Sequence, residues 1–187
     1  RAAVSEAVVA QFARPRGVLG RLAGAVMARR PSNRLRMLAA AVARAHDGFV
    51  LGLDHSPLMV AAARRRLAGA ISAGRADVRC AGLEALGQHV GRFSHAYCVN
   101  VIQFFPDPAE AVTPMAAVLT TGGVLGVTYQ PRRVPGCAGV PVFGAALQMA
   151  GRVAVAMDAA GLIDVTCHQL DLPPAAAVCV TGIKERA

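Results

Sequence analysis

Two rhythms of apolar and polar residues alternate along this chain. Short unbroken apolar runs give way to longer stretches in which apolar residues return every three or four positions. Phe49-Val50-Leu51-Gly52-Leu53, ending at Asp54, is short and without alternation, which predicts a strand buried on both faces of a parallel sheet. Ser56-Pro57 then supplies an N-cap and a first-turn proline, and Met59, Val60, Ala63 and Leu67 carry a helix to about Ala70. The alternation repeats downstream. Strands are expected over 76–80, 93–99, 124–128, 163–170 and 175–183, with a short helix or turn over 83–90. Asp107-Pro108 caps a helix to about Leu119, and a longer helix from about Phe143 to Ala160 closes at Gly161.

Upstream, Val4, Val8, Val9 and Phe12 have helical spacing, and Arg14-Pro15-Arg16-Gly17 breaks that helix before a second from about Val18 to Arg29. Residues 1–31 are expected to form a helical cap or lid, and residues 38–187 an α/β core within one domain. Strands alternating with helices, then a terminal strand pair, predict a doubly wound, mostly parallel α/β sheet.

Composition narrows the setting. The hydrophobic fraction is 55% but the aromatic fraction only 4%, so the core is built from Ala, Val and Leu. The net charge of +9 is almost all arginine, Lys184 being the only lysine. No basic-plus-aromatic stripe accompanies the charge, which disfavours a nucleic-acid partner. Cys80, Cys98, Cys137, Cys167 and Cys179 show no CxxC spacing, and several sit in apolar runs where cysteine packs as a small hydrophobe. A reduced, cytoplasmic compartment is expected. The uncharged stretches 111–131 and 134–151 are broken by proline and glycine, unlike the ~20 apolar residues of a spanning helix. No signal peptide and no His/Cys/carboxylate cluster with metal spacing is visible.

Five segments, in order, carry a family resemblance. They are Val50-Leu51-Gly52-Leu53-Asp54-His55-Ser56 with Met59 beyond it; Ala81-Gly82-Leu83-Glu84-Ala85-Leu86; and Tyr97 to Asp107. Leu119-Thr120-Thr121-Gly122-Gly123-Val124-Leu125 and Ala159-Ala160-Gly161-Leu162-Ile163-Asp164-Val165 complete the set. Together they resemble the class I S-adenosylmethionine-dependent methyltransferases over about three quarters of the chain. The resemblance implies a Rossmann-like, seven-stranded sheet. It also implies a cofactor site in which Asp54 grips the ribose, His55 adjoins it, Met59 lies against adenine, Gly82 and Leu83 meet the adenine edge, and Asn100 approaches the methionine portion. An acid at the carboxyl end of a parallel strand can accept ribose hydroxyls, which supports Asp54 independently. Many family members have Asp where this chain has Gly82, so one side-chain bond to adenine is not available.

The family's glycine-rich loop, "D/E-x-G-x-G-x-G" after the first strand, is missing upstream of Asp54. Gly17, Gly20 and Gly24 have the wrong spacing and follow no apolar run. The first strand occupies the middle of the family's sheet, and deleting it would strand many buried backbone groups. A discontinuity is therefore expected near Met37–Leu38, with ~20–30 residues, a strand, the loop and a turn of helix, absent there.

The expected reaction is transfer of a methyl group from S-adenosylmethionine to a small-molecule acceptor, with no metal and no membrane. Gln103, Tyr129 and Gln130 are expected to line the acceptor pocket beneath a lid carrying Phe12. Of the histidines, His95 is expected to be packed within its strand, and no obligatory base is required. Two alternatives stand beside this reading: a catalytically degenerate methyltransferase-like binding protein, and a nucleotide-binding α/β oxidoreductase.

Overall fold

The computed structural model describes residues 40–45, 47–130, 142–170 and 177–186. The expected N-terminal helices with Phe12, the expected discontinuity at Met37–Leu38 and the expected connection over 171–174 lie outside the described residues. The chain divides into two compact units, Arg1–Gly82 and Leu83–Ala187.

In the first unit a helical turn over 40–44 precedes β1 (Val50–Asp54), α1 (Pro57–Arg66), α2 (Ala68–Ser72) and β2 (Ala76–Cys80). β1 and β2 pair in parallel from Val50↔Ala76 to Asp54↔Cys80. The crossover works because α1 turns Met59, Val60 and Ala63 inward, where with Leu67, Ala76, Val78 and Val42 they form one buried cluster. Each large aliphatic side chain so buried contributes about 1.5–3 kcal/mol. The single helix expected to Ala70 is interrupted at Leu67, whose φ of −103° and ψ of 14° depart from helical geometry. Arg64, expected to face solvent, is exposed but also donates from Nε to the carbonyl of Val78 at 2.8 Å, tying α1 to β2. β1 is half-buried throughout instead of buried on both faces. Among the described residues it pairs along one edge only.

The second unit opens with a 3-10 segment, Leu83–His89, then β3 (Phe93–Val99), a 3-10 turn over Ile102–Phe104, α3 (Ala109–Ala117) and β4 (Leu119–Tyr129). α4 (Val142–Ala159), β5 (Leu162–Leu170) and β6 (Ala177–Lys184) complete it. The sheet order is β3-β4-β6-β5, with β3 and β4 parallel and both pairs made by β6 antiparallel. α4 packs on β5 and β6. Val153 and Met157 from this helix are buried, as are Leu125 and Val127 of β4 and Val178 and Val180 of β6.

β4 begins five residues earlier than the apolar run at Val124 suggests. Its register against β3 slips between Phe93↔Leu119 and His95↔Val124. Gly122, at φ +74°, makes that slip, and Gly123 fits because a Cβ there would lie 2.8 Å from the Thr120 carbonyl oxygen and 3.1 Å from that of Ser94.

The α/β, Rossmann-like architecture is present, and a continuous seven-stranded sheet is not seen among the described residues. Among the described residues there are six strands, in separate sheets of two and four. Just two of the four strand pairs are parallel. β3, like β1, is paired on one edge only among these residues.

Candidate functional site

In a parallel sheet, ligands gather at the carboxyl ends of the strands. Each unit presents such an end, and polar side chains converge on both.

In the first unit the register sets Asp54 beside Cys80, and the N–H of Ala81 donates to the Asp54 carbonyl at 3.2 Å. The Asp54 carboxylate accepts the N–H of Ser56 through Oδ1 at 2.8 Å. Ser56 is itself buried, and its hydroxyl accepts the Met59 N–H at 3.5 Å as the cap of α1. One carboxylate oxygen thus fixes the strand-to-helix turn. The other has no hydrogen-bond partner among the described residues, and Asp54 remains half-buried. The carboxylate is held at one oxygen and available at the other, an arrangement suited to a diol.

His55 is exposed, and its carbonyl accepts the thiol of Cys80 at 3.8 Å. Gly82 is half-buried just past the end of β2. Met59 is 7% exposed within the apolar cluster, which leaves little of it to face a nucleoside. Leu83, half-buried, opens the 3-10 segment of the second unit.

In the second unit Asn100 follows β3 and Gln130 follows β4. Both are buried polar residues. Asn100 has φ +53°, the left-handed region that Asn tolerates better than most side chains. Its Oδ1 accepts the N–H of Gln130 at 2.8 Å, and its own N–H donates to the Thr128 carbonyl at 2.9 Å. Its carbonyl accepts Nε2 of Gln103 at 2.8 Å. Asn100, expected at the methionine portion of a cofactor, is thus the junction that ties the ends of β3 and β4 to the turn carrying Gln103. Tyr129, half-buried, is the last residue of β4. The Gln103–Asn100 bond was not foreseen; Asn directly after a strand, with Gln three residues on, was the available signal.

Tyr97, opposite Gly126 on β4, is 41% exposed, yet burial around its phenol pushes the hydroxyl's pKa above the usual value near 10. His95, expected to be packed, is exposed, with Nδ1 3.0 Å from the Ser94 hydroxyl. The reason is alternation on a strand whose outer edge has no partner among the described residues. Cys80 and Cys167 are exposed too, contrary to the expectation of packed thiols. Among the described residues, no three His, Cys, Asp or Glu side chains gather as metal ligands, and no helix is long and apolar enough to cross a membrane.

Residues 35–123 match the family described as "Methyltransferase domain". Among solved structures the chain is similar to the [4+2]-cyclase SpnF, at 17% identity over 80% of this chain and 70% of that one, with a TM-score of 0.59. It is similar to geranyl diphosphate C-methyltransferase from Streptomyces coelicolor, bound to Mg2+, geranyl diphosphate and S-adenosyl-L-homocysteine. There the identity is 11% over 78% of this chain and 67% of that one, with a TM-score of 0.58. It is also similar to a methyltransferase from Thermotoga maritima described as a possible histamine N-methyltransferase. That identity is 20%, over 72% of each chain, with a TM-score of 0.52. The chain spans about half the length of other structures it matches, 47%, 54% and 57%. No curated protein matches.

Proposed function

We propose that this chain, a member of the class I S-adenosylmethionine-dependent methyltransferases, transfers a methyl group to a small-molecule acceptor by in-line displacement. The observation that carries the cofactor assignment is the Asp54 carboxylate, anchored through Oδ1 at the carboxyl end of β1 with its second oxygen available. S-adenosylmethionine supplies a methyl group on a sulfonium, a leaving group that needs no protonation. Asp54 would hold the ribose, with His55 beside it and the backbone of Gly82 and Leu83 at the adenine edge. Met59 supports that turn from within the core. Asn100 would shape the methionine end mainly through backbone geometry, since its carbonyl and Oδ1 are already engaged.

Displacement of this kind gains most from holding the nucleophile in line with the breaking bond. A base is required only when the nucleophile is protonated at working pH. Gln103, Tyr129 and Gln130 are assigned to that positioning; the expected lid residue Phe12 lies outside the described residues. The small-molecule acceptor is supported by similar proteins whose descriptions name geranyl diphosphate and phosphomonomethylethanolamine as bound. A cytoplasmic location accords with the unbridged thiols of Cys80, Cys167 and Cys179.

The reading includes a further strand with its glycine loop near Met37–Leu38, in keeping with the one-sided pairing of β1 among the described residues. Peptide mapping across that junction tests it; a contiguous Met37–Leu38 peptide in the purified protein rejects it. The missing loop favours one second reading, a ligand-binding relative that does not transfer methyl groups, and the similarity to a cyclase accords with it. Calorimetric titration with S-adenosylhomocysteine is the deciding experiment. Binding is expected in the micromolar range or tighter; none at millimolar ligand removes the methyltransferase reading. Binding without methyl transfer to any acceptor selects the second.

A further inference from the structure

We propose that Gln103 selects methyl acceptors that carry an N–H or O–H donor on an apolar body, an inference that rests on the small-molecule methyltransferase reading. Gln103 lies in the 3-10 turn Ile102–Phe104, directly beyond the end of β3. Its Nε2 donates to the Asn100 carbonyl at 2.8 Å. The other half of the amide, Oε1, is buried and has no hydrogen-bond partner among the described residues. Buried acceptors left without a donor are uncommon in folded proteins, and each calls for an explanation.

The amide cannot resolve the problem by turning over. A flip would set Oε1 against the Asn100 carbonyl, two acceptors face to face, in place of a good bond. Asn100 cannot yield either. Its N–H and Oδ1 are bonded to Thr128 and Gln130, and its φ of +53° is fixed by both. Ile102, fully buried, anchors the turn from the other side. The oxygen is therefore an acceptor of fixed polarity on a rigid mount, and no described residue supplies its donor.

The chemistry of that donor follows. A carboxylate or phosphate oxygen would meet Oε1 as a like dipole, and a thioether or ether would leave it unsatisfied. An amine, phenol or alcohol would satisfy it. The amide takes no proton at neutral pH, so Gln103 orients the donor's hydrogen without acting as a base. Phe104, next in the same turn, is 47% exposed, an apolar side chain available to the body of such an acceptor. Small amines, phenols or alcohols with an aromatic or aliphatic body are thus the substrate class.

The test measures S-adenosylhomocysteine release by the full chain with four probes of similar size. Tryptamine and 2-naphthol carry a donor; quinoline and thioanisole are nucleophiles without one. Turnover of the donor-bearing pair is expected to exceed that of the other pair at least tenfold. Gln103→Met should lower kcat/KM for the better probe at least tenfold, chiefly through KM, with S-adenosylhomocysteine affinity unchanged within twofold. If that variant unfolds early, Gln103→Asn, which keeps the amide but withdraws it by one methylene, should show the same loss. No preference for donor-bearing probes, or an unchanged kcat/KM in the variant, overturns the assignment to Gln103. Failure to bind S-adenosylhomocysteine at all overturns instead the methyltransferase reading beneath it.

Discussion

Asn100 joins three elements through one residue, and a substitution series there separates its roles by energy. Asn100→Ala removes the Oδ1 acceptor of the Gln130 N–H, leaving a buried donor unpaired at about 1–3 kcal/mol. It also places a Cβ without a compensating polar group at φ +53°, which adds about 1 kcal/mol. The sum is roughly 2–4 kcal/mol. Asn100→Gly loses the same hydrogen bond but adopts the left-handed conformation freely, so it should be the milder of the two by about 1 kcal/mol. Asn100→Asp keeps an oxygen acceptor and a residue tolerant of this backbone but buries a carboxylate, so its loss of stability should shrink as pH falls and the acid is protonated. Urea unfolding reads the order directly. With a slope of about 1–3 kcal/mol per molar, Asn100→Ala should move the midpoint down by about 1–2 M without changing the slope. Two results would refute the reasoning. An Ala variant within about 0.5 kcal/mol of the parent would mean that the bond to Gln130 is not made. Equal Ala and Gly variants would mean that the backbone is not left-handed.

Three further outcomes are expected. Asp54→Ala should weaken S-adenosylhomocysteine affinity at least tenfold, about 1.4 kcal/mol by calorimetry; unchanged affinity would show that the carboxylate does not hold the ribose. Gly123→Ala forces a Cβ to within 2.8 Å of the Thr120 carbonyl oxygen, which cannot withdraw as a flexible side chain could. It should destabilise by about 1–3 kcal/mol in thermal melts, whereas Gly126→Ala, with its nearest contact at 3.9 Å, serves as the mild control. Tyr97 has its pKa raised in the folded state by burial, so the unfolded chain ionises first as pH rises past 10. Its stabilising effect is complete below that pH and lost between the unfolded and folded values. Tyr97→Phe should flatten the decline in stability above pH 10, and a decline of the same steepness would count against the burial.

The elements were legible where local chemistry decides them. Ser56-Pro57 announces α1, Gly161 at φ +74° closes α4 as expected, and β2 and β3 match their expected bounds. Features set by distant partners were not legible. The interruption at Leu67 carries no proline, and the slip at Gly122-Gly123 looks like an ordinary turn until β3 lies beside it. The same holds at the site. Asp54 could be picked out because a strand-terminal acid is a local signal. That Asn100 would spend its side chain on Gln130, thirty positions away, and so leave Gln103 with an unsatisfied oxygen depends on a pairing that no sequence window contains.

β5 is an outer strand of the four-stranded sheet, and long flat margins of this kind invite another chain to zip on. Asp164, at φ +52°, breaks the ladder between Ile163 and Thr166, and the Thr166 hydroxyl donates to the Asp164 carbonyl at 3.1 Å. A strand adding at the Leu162 end would meet a kink and a negative charge, whereas the ladder is regular from Thr166 to Leu170. A single residue near the start of β5 thus keeps that margin from being one long flat ladder.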